Sequence, residues 1–281
     1  MTPESWRTFE VITRVEVLKY SGTTRIWVPA ALSNQTPFQK TLSNTFNADG
    51  GTAKLFDSKT NSVGIIAAEF PAGAKPILTV TSQVRTKNYA VDLSAPGKAP
   101  QASRAELDYF LRPTRLQPTD GIVQETSQQI TKGAKTDVAK ARAIYEWIVD
   151  NTFRNPKTRG CGVGDIRFML ESKDLGGKCA DLNALYVGLA RAAGLPARDV
   201  YGIRLAKSDL GYKSLGPSTE IVTKAQHCRA EVYLALKSTS RASAGFRSTP
   251  RMCERLCSRN RREIARWNEM VKKARVRLFG S

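Results

Sequence analysis

Two side chains in this 281-residue sequence have the types and setting for nucleophilic chemistry together: Cys179 and His227, the latter the chain's single histidine. A free thiol ionises near pH 8.5, so only a small fraction is thiolate at neutral pH unless something stabilises the anion. A helix N-terminus does so, because its unpaired N–H groups point at the sulfur. The stretch GGKCADLNALYVGLARAAGLPAR, residues 176–198, sets Cys179 just after a Gly-Gly turn and at the head of a helix-like run. An imidazole can take the thiol proton and later protonate a leaving group. His227 lies near the start of QHCRAEVYLAL, residues 226–236, and is the only imidazole available. The competing reading is structural. Free cysteine is among the most buried residue types, and a lone histidine on a strand is often a satisfied core or surface residue.

The elements that must position this pair are readable from periodicity. After Cys179, Leu182, Leu185, Tyr186 and Leu189 share one face at helical spacing, with Ala190 and Ala193 behind. Gly194-Leu-Pro196 then ends the helix. Upstream, TDVAKARAIYEWIVDNT carries an apolar stripe of Val138, Ala141, Ile144, Tyr145 and Ile148, with Thr136 or Asp137 as N-cap. RNPKTRGCGVGD reads as an exposed loop and IRFML as a return to apolar pattern. ARDVYGIRLA and QHCRAEVYLAL alternate as strands. The first ninety residues read as β: Phe9, Val11, Val15 and Val17 alternate with charged residues, and TRIWVP, SVGIIAAEF and PILTVTSQVR are further strands. ADGG at 48–51 and PAGAKP at 71–76 supply turn chemistry. Residues 94–120 read as a connecting segment with one short helix at 103–111.

Composition narrows the function classes. With 41% hydrophobic and 25% charged residues the chain is of ordinary globular type, and no apolar run is long enough for a membrane span. The opening MTPESWRTFE has neither the basic region nor the apolar core of a secretion signal, so a cytoplasmic protein or the trimmed form of an exported, periplasmic one is expected. The net charge of +19 is uneven: residues 228–281 hold 14 Lys/Arg against 4 Glu. That basic tail comes with no nucleic-acid-binding motif, so no specific nucleic-acid partner is expected. Five cysteines in no regular framework argue against a disulfide scaffold. Cys253 and Cys257 lack a second pair, so no metal site and no cofactor are expected.

The order of these features resembles the transglutaminase-like superfamily, in its bacterial cysteine-peptidase form. There a Gly-rich turn presents a nucleophilic cysteine at a helix N-terminus, a helix and Gly-Leu-Pro-Ala-Arg follow, and a histidine opens a later strand. GGKCADLNALYVGLARAAGLPAR and AQHCRAEVYL match that pattern, and AKARAIYEWIVDNT resembles the family's lead-in helix. The resemblance covers residues 136–236. It implies an α+β fold: an N-terminal β-sandwich-like domain, then a papain-like transglutaminase-core domain of helices packed on an antiparallel sheet. The expected organisation is a β-rich domain over 1–95, a linker over 96–130, a catalytic domain over 131–240 and a basic segment over 241–281. The resemblance makes Cys179 the nucleophile and His227 the general base and acid, acting by acyl transfer or hydrolysis through a thioester on a protein or peptide substrate.

One part of the family pattern is missing. The family's third catalytic residue is an Asp in a G-W-x-x-x-D-P strand soon after the histidine strand, yet no Asp follows Asp209. Only Glu231, Glu254, Glu263, Glu269, Asn260 and Asn268 could stand in. One permissible codon choice for Ala244 through Cys257 reads, one base earlier, as GWLPVDPADVRKAV. That neighbouring frame contains the absent motif, so a local frameshift beginning after about Leu234 is expected. It would leave residues 237–265 poorly ordered and explain the sudden arginine enrichment. The alternative function is then a catalytically impaired transglutaminase fold serving as a binding module.

Overall fold

The computed structural model describes residues 6–33, 36–58, 63–91, 102–205, 220–223, 225–234, 245–248 and 276–279. The expectations for residues 237–244 and 249–265, and the stand-ins Glu254, Glu263, Glu269, Asn260 and Asn268, lie outside the described residues. The chain divides into two compact units, Met1–Tyr89 and Ala90–Phe279.

The first unit is built from β1 (Arg7–Glu16), β2 (Thr24–Pro29), β3 (Gln39–Ala48), β4 (Thr52–Ser58), β5 (Val63–Phe70) and β6 (Ile77–Thr86), followed by the short β7 (Asn88–Val91). They form two antiparallel three-stranded sheets, ordered β1-β6-β3 and β2-β5-β4. Each strand gives alternate residues to one face, as a pleated backbone requires. Ile26 and Val28 of β2, Ile66, Ala68 and Phe70 of β5, and Leu78 and Val80 of β6 therefore meet in one core. Strands β3 and β4 carry no clear apolar alternation in sequence. They are joined through the ADGG turn, where Gly51 N–H donates to the Ala48 carbonyl at 3.0 Å.

The second unit holds α1 (Arg104–Leu111), α2 (Gly121–Thr131), α3 (Asp137–Asn151), β8 (Phe153–Arg154), α4 (Ile166–Ser172), β9 (Gly176–Gly177), α5 (Cys179–Ala192), β10 (Ala197–Ile203), β11 (Gln226–Leu234), β12 (Gly245–Ser248) and β13 (Val276–Phe279). Helix α5 is its centre. Every residue from Ala180 to Ala190 is buried, so this helix is enclosed on all sides rather than amphipathic. Leu182, Leu185 and Leu189 are fully enclosed, each burial stabilising by about 1.5–3 kcal/mol. Helices α2, α3 and α4 supply Val123, Ile144, Ile148 and Ile166 to the same core. From the other side come Ala197 of β10 and Ala230, Val232 and Leu234 of β11. Strands β10, β11 and β12 form an antiparallel sheet in that order. The architecture is α+β, with antiparallel sheets in the first unit and helices around a sheet in the second.

Local chemistry sets the helix ends. Thr136 caps α3, its hydroxyl accepting from Ala139 N–H at 3.1 Å. At the end of α5, Gly194 takes φ 82°, a left-handed conformation that a side chain would strain. Its N–H donates to Arg191 and that of Leu195 to Ala190, both at 2.9 Å, closing a Schellman turn before Pro196. Within the expected linker, α2 is a packed helix: Ser127 is buried and donates to the Leu189 carbonyl at 2.8 Å.

Candidate active site

Cys179 is the first residue of α5 and is half-buried. The turn before it is fixed by Asp181, whose carboxylate is almost wholly buried. One of its oxygens accepts from Lys178 N–H at 2.9 Å, reaching back over the helix start in the manner of a capping box. The other accepts from Val163 N–H at 2.8 Å and Gly164 N–H at 2.9 Å. One side chain thus ties the turn before Cys179 to the 155–165 loop. The loop is held again where Ala180 N–H donates to the Cys161 carbonyl at 2.9 Å and Asn155 N–H to Gly177 at 2.8 Å. Gly162 sits against Asp181 at φ 103°, where an added Cβ would fall 2.0 Å from the carboxylate. Only glycine fits both the dihedral and the space.

His227 is half-buried, the second residue of β11, and faces Gly202 of β10 in register. Strand alternation turns Cys228, Ala230, Val232 and Leu234 toward α5, with His227, Arg229 and Glu231 on the other parity. The histidine Nδ1 lies 2.6 Å from the Cys228 carbonyl. A carbonyl only accepts, so Nδ1 carries the proton and donates, leaving Nε2 as the basic nitrogen of the neutral ring. Among the described residues no hydrogen bond joins Cys179 to His227; their interaction is one of charge.

The direct neighbours of the Cys179 sulfur are two other thiols. Cys228, which is buried, and Cys161, which is half-buried, both act on its ionisation. The Cys179 thiol is held far below the usual range, at about 5. The largest cause is the Cys228 side chain, opposed by burial and aided by the Cys228 backbone, the His227 charge and Cys161. The reciprocal effects follow. The Cys228 thiol is pushed far up by its bond to Cys179 and by burial, and the Cys161 thiol is pushed up chiefly by burial. Burial lowers His227 below the usual histidine range, against the pull of Cys179 and the Cys228 carbonyl.

A further clamp joins the two elements. Asn183, buried one turn into α5, donates to the Cys179 carbonyl at 2.7 Å and the Cys228 carbonyl at 3.2 Å. Glu231, the one described stand-in for the third carboxylate, is engaged elsewhere. It takes Arg198 at 2.9 Å and Arg229 at 3.0 Å, an almost buried carboxylate between two guanidinium groups. Sequence reasoning missed Asp181, Asn183 and the roles of Cys161 and Cys228. Asp181 had a signal, an acidic residue at the third position of a helix without a Ser or Thr cap. The others depend on contacts between residues far apart in the chain. Among the described residues no group of three or more His, Cys, Asp or Glu side chains could hold a metal ion. Among them, too, no helix is long and apolar enough to cross a membrane.

Comparison with known proteins agrees with this architecture. An uncharacterized protein of Haemophilus influenzae is 33% identical over 231 residues, a match spanning 76% of this chain and 61% of that protein. This chain therefore spans about three fifths of that relative's length. A crystal structure of a candidate cysteine protease from Cytophaga hutchinsonii superposes with a TM-score of 0.60 at 16% identity, covering 82% of this chain and 75% of that one. It is a likeness of fold. The periplasmic domain of TgpA from Pseudomonas aeruginosa gives a TM-score of 0.42 at 13% identity, over 88% of this chain and 71% of that one. The sequence model of the transglutaminase-like superfamily matches residues 124–243, from within α2 to just before β12. The similarity to the transglutaminase-like superfamily is one of this part of the chain.

Proposed function

We propose that this protein is a cysteine acyl-transfer enzyme, with Cys179 as nucleophile and His227 as general acid and base on peptide or side-chain amides. The observation that carries the reading is the place of Cys179 at the N-terminus of α5, with the His227 charge acting on it from β11, a setting in which its thiol pKa is lowered to about 5. In that state it is thiolate at neutral pH, the nucleophilic form. The thiolate attacks an amide carbonyl, and a tetrahedral oxyanion forms. The Cys179 N–H, which has no acceptor among the described residues, is the donor for that oxyanion. Collapse expels the amine, which takes the proton that His227 had accepted from the Cys179 thiol, and leaves a thioester. Water or a second amine then resolves the thioester, the first giving hydrolysis and the second crosslinking.

A decisive measurement offers glutaminyl peptides with hydroxylamine as trapping amine. Hydroxamate or cleaved peptide, absent from Cys179→Ala, supports the enzyme. Stable peptide binding with no product from the wild-type chain would sink it. The second reading, a binding module on an impaired transglutaminase fold, draws on a specific observation. The His227 Nδ1 faces a backbone carbonyl rather than a carboxylate, and Glu231 is occupied by two arginines.

A further inference from the structure

Three thiols converge at the head of α5, and an acyl-transfer step uses only one of them. Cys228 has a fixed setting. It is 2% exposed, lies within the β10–β11 ladder, and its carbonyl is held by Asn183 and His227. Its proton is locked in place by burial and by the neighbouring Cys179 anion. Cys161 differs in each respect. It is half-exposed on a loop between Gly160 (φ 59°) and Gly162 (φ 103°), so solvent reaches it. The same loop is fastened to the first turn of α5 through Asp181 and through the bond from Ala180 N–H to the Cys161 carbonyl. These ties hold Cys161 beside the head of α5, where its thiol and that of Cys179 act on one another's ionisation, while it remains partly open to water.

A reactive thiolate with an accessible second thiol beside it is the arrangement that peroxide-sensing cysteines share. We propose that Cys161 is the resolving thiol of a reversible oxidation site, in which hydrogen peroxide converts Cys179 and Cys161 to a disulfide that holds the nucleophile inactive. The inference rests on the reading of Cys179 as the reactive thiol. In the first step the Cys179 thiolate attacks one peroxide oxygen and the O–O bond breaks. This gives Cys179 sulfenic acid and hydroxide, which takes up a proton. In the second step Cys161 loses its proton to water and attacks the sulfenic sulfur. The S–O bond breaks and the hydroxyl leaves as water. Two thiols and one peroxide become one disulfide and two waters, and a dithiol reductant reverses the change. Because the resolving thiol is carried on the loop fastened to the head of α5, its attack should outrun a second peroxide, sparing Cys179 the irreversible sulfinic acid.

The test uses the full chain carrying Cys253→Ser and Cys257→Ser, which removes the tail thiols, and reads thiol chemistry rather than turnover. After brief hydrogen peroxide treatment, iodoacetamide labelling of Cys179 and Cys161 should fall together. Peptide mapping should find the Cys161–Cys179 linkage, and dithiothreitol should restore both labels. After prolonged excess peroxide, the parent should still recover with dithiothreitol. Cys161→Ser and Cys161→Ala should recover at least about tenfold less, because Cys179 proceeds to the sulfinic state. Linkage of Cys179 to Cys228, or full recovery of both Cys161 variants after prolonged peroxide, would overturn the inference. Disulfide formation without amide turnover leaves this inference standing and removes the proposed enzyme. Turnover together with oxidation that never links Cys161 removes this inference alone.

Discussion

At the scale of single residues, the largest influence on Cys179 comes from Cys228, the residue after the histidine. A hydrogen-bond donor beside a thiolate favours the anion, and Cys228 sits in a buried strand. Cys228→Ala should therefore raise the midpoint of the pH dependence of iodoacetamide alkylation at Cys179 from about 5 by about one unit or more. Cys228→Ser, which keeps a donor, should move it much less. Equal shifts in both variants would mean that packing, not hydrogen bonding, sets the thiol. The pH profile of turnover follows from the same two groups. Cys179 has a lowered pKa, so its thiolate is present above about pH 5 and lost below it. His227 is also lowered, so its proton, needed by the departing amine, is lost as pH rises through a value under the usual 6.5. kcat/KM should be bell-shaped with its optimum on the acid side of neutrality. A profile that climbs through pH 7 to a plateau would contradict this assignment of acid and base.

At the scale of elements, the nucleophile turn and the histidine strand are held together by buried polar clamps rather than by apolar packing alone. Asn183 spans α5 and β11 by donating to two main-chain carbonyls. Asn183→Leu keeps similar bulk but leaves both carbonyls without this donor, which should cost about 1–3 kcal/mol in urea unfolding. Alkylation of Cys179 should slow in the folded variant, since the strand carrying Cys228 is no longer tied to the helix. Unchanged stability would show that water takes over the bonds. Sequence made α5 legible because its signals are local: a glycine turn, apolar spacing, then Gly-Leu-Pro. Strands β1, β2, β5 and β6 were legible through alternation. Strands β3 and β4 were not; QKTLSNTFNA is mostly polar, and a register shift between Thr41 and Ser43 breaks its period. Nor was the 155–165 segment. Its composition is that of a solvated loop, yet Gly164 is buried and its N–H is spent on Asp181. The convergence of Cys161, Cys179 and Cys228 joins three separate segments, which no local pattern encodes.

At the scale of the whole molecule, the chemistry of His227 depends on what stands behind its ring. In the transglutaminase-like pattern a carboxylate from the strand after the histidine strand orients the imidazole. Here that neighbour is β12, Gly245–Ser248, antiparallel to β11 through Glu231 and Leu234. One permissible codon choice for residues 244–257 reads in the neighbouring frame as GWLPVDPADVRKAV, with a tryptophan at position 245 in β12 and an aspartate in the sequence just after Ser248. Its register partner Glu231 already spends its charge on Arg198 and Arg229, so it supplies no substitute. A chain in which this frame is restored after Leu234 should gain an orienting carboxylate for His227. By analogy with the serine triad, that gain is about 10²–10⁴-fold in kcat. Cys179 alkylation should change little, because Cys228 is the largest influence lowering its thiol and the His227 charge a smaller one. The split between the two readouts is the test. A rise in turnover with constant thiol reactivity assigns the deficit to histidine orientation, and resequencing the gene then decides whether the printed frame is the one the cell uses. Parallel rises in both would place the deficit in folding of the β10–β12 sheet. No rise in either would leave the printed chain as a binding module whose cysteine serves some other chemistry.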